Sequence, residues 1–226
     1  MNDTIVTAIT KAKNRQSLFH FTRAGNLPAI AHFDALLSSS QANRGTSGER
    51  RLKPVNVNYN GQSIIVNTHL RIPGSMIDPA TTLEQFRACL DRHVFFWPTL
   101  KDCQKMMDTY ARREPDERFA VLEFDAYALM AGHYSAVRLS KYDSGSSPRY
   151  PNLCSYRKSP AMFLPLDRFQ SVLNNLVPGK PSEIREVLIE DRVMNVSEYL
   201  KAVYVDQVED VPERWMELTR KLEELQ

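Results

Sequence analysis

The segment LFHFTRAGNLPAI, residues 18–30, decides how the rest of the chain is read. It opens as a short strand over residues 18–22, and alternate strand residues share a face. His20 and Thr22 therefore lie side by side where apolar residues are the usual occupants. The chain then turns through Gly25-Asn26. Residues 26–32 are predicted helical, with Pro28 in the first turn, where a missing N–H costs little. Asn26 falls at the helix start, where free backbone N–H groups and an amide side chain meet polar ligand edges. An imidazole and a hydroxyl beside that amide suit the ribose or carboxamide of a nucleotide.

Working outward, residues 38–62 are rich in Ser, Asn and Gly and read as one long loop, a common setting for function. Within it stand Arg50 and Arg51, and an arginine fork grips phosphate bidentately. A strand is expected over 63–70 and a helix over 83–92. HVFFWP (93–98) is an aromatic strand stopped by Pro98. One of Phe95, Phe96 and Trp97 must face away from the others, offering a ring to stack on nicotinamide or adenine. Residues 99–113 form a helix with Thr99 as its N-cap and Leu100, Cys103, Met106, Met107 and Tyr110 as its core stripe. Strands follow at 119–126, 135–141, 161–166, 185–190 and 200–206. In REVLIE the alternation sets Glu186, Leu188 and Glu190 on one face, so Glu186 is a carboxylate on a sheet surface. Residues 211–226 read as an amphipathic helix with Trp215, Leu218, Leu222 and Leu225 on one side. Strands crowded into the second half, with little βα alternation, predict an α+β fold. The chain has no Gly-rich phosphate loop, which argues against Rossmann and P-loop folds.

The composition is that of a globular protein: 226 residues, 42% hydrophobic and 25% charged. No apolar run approaches the roughly 18 residues that span a membrane. The start lacks a signal peptide's basic-then-apolar order, so a cytoplasmic protein is expected. Cys89, Cys103 and Cys154 have no paired spacing, and neither disulfides nor a metal site is indicated. The net charge of +2 hides an asymmetry: residues 1–75 carry +6, 76–180 carry +2 and 181–226 carry −6. A basic N-terminal third attracts phosphates. The loop from Lys141 to Lys158 mixes basic and aromatic residues, among them Tyr142, Arg149, Tyr156 and Arg157, a pattern that holds single-stranded nucleic acid by charge and stacking.

A carboxylate, an arginine and a His/Thr pair beside an aromatic make chemical sense together. Cleavage of a nicotinamide–ribose bond passes through an oxocarbenium-like state that a nearby carboxylate stabilises. The order of these motifs resembles that of ADP-ribosyltransferases, and more narrowly of the DarT-type toxins, which modify DNA bases, and a related uncharacterised group with a VFFW strand. The resemblance is carried by LFHFTRAGNLPAI, by ERR at 49–51, by HVFFW, and by REVLIEDRVMNVSEYLKAVYV at 185–205. It implies a single domain (1–226, core about 16–206) with an ADP-ribosyltransferase-like split mixed sheet and flanking helices. NAD would be the ADP-ribose donor, with no metal. His20, Thr22, Asn26 and Leu27 would line its pocket, with Phe96 or Trp97 near the nicotinamide. Arg51 would be the catalytic arginine, with Arg50 as alternative, and Glu186 the catalytic glutamate, with Glu198 as competitor. The acceptor would be a nucleobase in DNA or RNA and the protein a toxin or phage-defence effector, with an antitoxin as partner. The alternatives are a protein, small-molecule or water acceptor, or an inactive binding module. The chain departs from the DNA-modifying members after the aromatic strand, where Pro98-Thr99-Leu100-Lys101-Asp102 replaces an Asn-Pro-Arg-like turn.

Overall fold

The computed structural model describes residues 2–145 and 150–225. The chain opens with helix α1 (Asn2–Thr10), strand β1 (Ser17–Arg23), helix α2 (Leu27–Phe33), strand β2 (Ala35–Leu37) and the short helix α3 (Ser39–Ala42). Strands β3 (Val55–Tyr59) and β4 (Gln62–Val66) precede α4 (Leu83–Asp91), β5 (His93–Phe96) and α5 (Leu100–Arg113). Next come β6 (Phe119–Asp125), α6 (Ala126–Gly132), β7 (Val137–Ser140) and β8 (Phe163–Pro165). The last elements are β9 (Glu186–Glu190), β10 (Arg192–Met194), α7 (Val196–Tyr199), β11 (Leu200–Val205) and β12 (Thr219–Lys221).

These elements make an α+β fold around two four-stranded sheets, ordered β1-β6-β11-β12 and β5-β9-β7-β8. The first is mixed, because β12 runs parallel to β11, and the second is antiparallel throughout. Among the described residues a single backbone rung joins them. The Phe19 N–H donates to the Trp97 carbonyl at 3.0 Å, and the Trp97 N–H donates to Phe19 at 2.9 Å. The sheet is thus split at a seam between β1 and β5.

Strand alternation sorts the core. Leu18, Leu122, Phe124 and Val203 join Phe96, Val187 and Ile189 in the main cluster. Their neighbours Phe19, Phe21, Val121 and Phe119 face the other way and pack with Cys103 and Tyr110 of α5. A third cluster sets Phe86 of α4 against Phe163 and Leu188. Each such side chain contributes roughly 1.5–3 kcal/mol when fully buried. Helix α4 starts with a capping box between Thr82 and Gln85, and Thr99 caps α5 by accepting the Asp102 N–H at 3.2 Å.

Two stretches differ from the sequence reading. The expected loop over 38–62 contains α3 and the strand β3, which pairs antiparallel with β4. The two strands connect through Asn60 and Gly61, both at positive φ (48° and 85°), as a tight hairpin demands. VNVNY was unreadable as a strand because its face is only half covered. In place of a C-terminal helix over 211–226 the chain makes 3₁₀ turns at Glu213–Leu218 and Leu222–Leu225 on either side of β12. The reason is packing. Trp215 and Leu218 belong to the main cluster, whereas Leu222 and Leu225 belong to the cluster on the opposite sheet face. No straight helix presents one stripe to both.

Candidate active site

A cleft of about 250 Å³ opens beside the seam, with walls from β1, β4 and the residues after it, α4, β5, α5 and the start of β9. His20 and Thr22 continue the Leu18 face of β1 beyond the edge of the main core, and both line the cleft. The His20 Nδ1 lies 2.9 Å from the Phe95 carbonyl, which accepts and so fixes the proton on Nδ1. Nε2 is left as an acceptor. Burial pushes the His20 pKa down to about 4 despite the carbonyl's opposing pull, so the ring is neutral at pH 7.

Asn26 also lines the cleft, but its amide is occupied. Nδ2 donates to the Ile65 carbonyl at 3.1 Å and to the Thr22 hydroxyl at 3.3 Å, while the Ile65 N–H donates to Oδ1 at 2.7 Å. Asn26 therefore clips β4 to the start of α2 rather than offering its amide to a ligand. Leu27 is fully buried in the main core and takes no part in the cleft wall.

Arg51 lines the cleft inside a network that the sequence did not reveal. Its Nη2 donates to Asp91 Oδ1 at 2.7 Å and its Nε to the Asn67 carbonyl at 2.9 Å. Its backbone N–H donates to His69 Nδ1 at 3.1 Å, which puts the His69 proton on Nε2, 3.0 Å from Asp91 Oδ1. Ser39 Oγ and the Gly48 N–H complete the carboxylate's partners at 3.0 and 2.9 Å. Asp91 is 1% exposed. Burial alone would raise its pKa, but the donors from His69, Arg51 and Gly48 outweigh it and hold the carboxyl well below the usual range. Gly48 earns its residue type twice: φ is +84°, and a Cβ would meet the Glu84 carbonyl at 3.0 Å.

The aromatic strand divides as alternation requires. Phe95 and Trp97 line the cleft, whereas Phe96 is fully buried in the main core, its ring 5.6 Å from Phe124. Of the two expected stacking residues, only Trp97 is placed to touch a ligand. Glu186 begins β9 at the opposite wall, 2% exposed, and accepts the Ser144 N–H at 3.1 and 3.2 Å. Behind that turn the fully buried Lys158 ammonium donates to the carbonyls of Asp143 and Ser144, at 3.0 and 2.6 Å. Burial and the Asp143 charge raise the Glu186 pKa, against the Ser144 hydrogen bond and the lysine, and the balance stays above the ordinary carboxylate range. Burial lowers that of Lys158.

Residues 16–200 match the model of a family of unknown function, DUF7002. The chain belongs to that family. All the cleft residues described here fall inside the span that the DUF7002 model matches. None of the curated proteins matches the chain. Among solved structures it is similar to Thermus sp. 2.9 DarT in complex with NAD+, at 13% identity and a TM-score of 0.38, over 87% of this chain and 84% of that one. The same protein in complex with carba-NAD+ matches at 13% identity and a TM-score of 0.40, over 88% of this chain and 86% of that one.

Other residues singled out from the sequence lie elsewhere in this DUF7002 chain. Arg50 is exposed and absent from the cleft wall, because it precedes the residue that Asp91 holds. Glu198 is exposed on α7, also outside the cleft. The described residues of the basic-aromatic loop contact one another and the segment beyond it. Tyr142 and Tyr156 stack at 3.7 Å, Tyr142 donates its hydroxyl to the Asn175 carbonyl at 2.7 Å, and the Arg157 guanidinium sits 4.5 Å over the Tyr150 ring. None of the three expected contact residues lines the cleft. Arg149 lies outside the described residues. A second groove, of about 300 Å³, shares Leu70, Trp97, Met106 and Gly145 with the cleft and adds Arg71 and Lys105. Among the described residues no His/Cys/Asp/Glu group could hold a metal ion, and no helix is long and apolar enough to cross a membrane.

Proposed function

We propose that the chain is an NAD-dependent ADP-ribosyltransferase that modifies a nucleobase in DNA or RNA, acting as a toxin or defence effector. One observation carries the reading. His20, Thr22, Arg51, Trp97 and Glu186, drawn from four separate stretches of the chain, line a single cleft. NAD brings the leaving nicotinamide and the electrophilic ribose carbon. The chain supplies the rest. His20 Nε2 accepts from a carboxamide or ribose hydroxyl, the Thr22 hydroxyl lies beside it, and the Trp97 indole gives a stacking wall. Arg51, pinned along one edge by Asp91 and Asn67, donates to phosphate with its other edge. Glu186, whose raised pKa makes it a stronger base than an ordinary carboxylate, stabilises in its ionised form the positive charge that develops on the ribose and takes the acceptor's proton. The groove beside Trp97 opens next to the cleft and gives an acceptor room there, and the +6 charge of residues 1–75 favours a polyanion.

The test is acceptor-dependent nicotinamide release. Wild type and Glu186→Gln are each incubated with NAD and, separately, single-stranded DNA, RNA or a lysate protein fraction. Release and a mass gain on a nucleic acid by wild type, lost by at least about a hundredfold in the variant, is the expected outcome. Full activity in Glu186→Gln removes the assigned carboxylate. A mass gain on protein alone changes the acceptor, and NAD binding without release under any condition leaves a nucleotide-binding module.

A further inference from the structure

Helix α4 shows the cleft one face. Leu83, Phe86, Arg87, Leu90 and Asp91 all line it, at the helical spacing that stacks side chains on one side. Phe86 anchors the third core cluster, with Leu83 and Leu90 packed against it, and Asp91 holds Arg51. Arg87 has no such account. It is partly buried in the cleft wall, yet among the described residues it makes no hydrogen bond, ion pair or ring contact. A cation drawn partly out of water without a counter-charge is unfavourable, and an anion in the cleft would relieve it. Its neighbour one turn along is Asp91, at roughly 5–6 Å between Cβ atoms on a helix face. Asp91 in turn fixes Arg51, whose Nη1 makes no hydrogen bond among the described residues while Nε and Nη2 are engaged. Both arginines thus line the cleft, one bonded to Asp91 and the other one helical turn from it. Asp91 offsets the charge of Arg51, and Arg87 makes no ion pair among the described residues.

We propose that Arg87 and Arg51 form a clamp for the diphosphate of a nucleotide ligand. The proposal rests on the reading of the cleft as a nucleotide site and adds Arg87 to it. The experiment is calorimetric titration of the full chain and of Arg87→Gln with ADP-ribose, inorganic pyrophosphate and adenosine. The variant should bind ADP-ribose and pyrophosphate roughly 10- to 100-fold more weakly, the loss of one charged donor pair, with adenosine unchanged. Its melting temperature should equal that of wild type, since the side chain holds nothing in the fold, and Arg87→Lys should recover part of the affinity. Equal ADP-ribose affinity in wild type and Arg87→Gln overturns the clamp, as does a wild type that binds no pyrophosphate. Arg87-dependent pyrophosphate binding without nicotinamide release from NAD keeps the clamp and removes the transferase reading. Nicotinamide release with Arg87-independent binding does the reverse.

Discussion

At the scale of single residues, His20 shows how a fold sets a protonation state. Its ordinary pKa of 6.5 falls to about 4 in the folded chain, so the native state binds fewer protons than the unfolded one across that interval. The associated stability is present above about pH 6.5 and is lost as pH falls towards 4. Urea midpoints measured from pH 7 to pH 4 should therefore fall more steeply for wild type than for His20→Gln. Parallel curves would show that the ring is not held neutral by its surroundings. His93, also pushed down by burial, leaves a residual slope in both proteins. Strand alternation and motif order single out His20, Thr22, Arg51, Trp97 and Glu186 in the sequence, and all five line the cleft. The sequence concealed Asp91 and His69, since nothing local distinguishes a buried aspartate at a helix end from an exposed one. Their meeting with Arg51 depends on where three separate segments come together.

Between elements, the hinge of the site is the packing of the 39–51 segment on α4. Gly48 makes this possible through its positive φ and its close approach to the Glu84 carbonyl. Gly48→Ala puts a Cβ where neither is tolerated, at a cost of about 1–2 kcal/mol for the backbone alone. The expected result is a melting temperature several degrees lower, with a larger loss of ligand affinity, because the Gly48 N–H is one of the donors that fix Asp91. An unchanged melting temperature would mean that the loop relaxes freely. Elements with a strong period of their own, such as β1, α4, α5 and β9, were legible to within a residue or two. The β3 strand, the β2–β10 pair and helices α1 and α6 were not, being short or weakly patterned. Their form comes from partners: β2 from β10, and α1 from α6 and the main core that takes Val6 and Ile9.

Across the whole molecule, the C-terminal segment is a strap over both faces of the first sheet. Trp215, 1% exposed, fills the main core and donates its indole N–H to Ser197 at 3.0 Å. Trp215→Ala should cost about 3–5 kcal/mol, read as a shift in the chemical-denaturation midpoint. A loss below about 1 kcal/mol would show the strap to be dispensable. The apolar spacing of this segment was visible in the sequence but ambiguous, because four residues at helical intervals serve two cores as well as they serve one stripe. The same tryptophan bears on how the protein can be watched. The chain has only two, and the other, Trp97, stands on the seam with its indole in the cleft wall. With Trp215 shut inside the core, a ligand entering the cleft disturbs one emitter and leaves its twin silent. The protein therefore carries its own optical gauge of occupancy, and Trp215→Phe, if it folds, would reduce the signal to that single lamp.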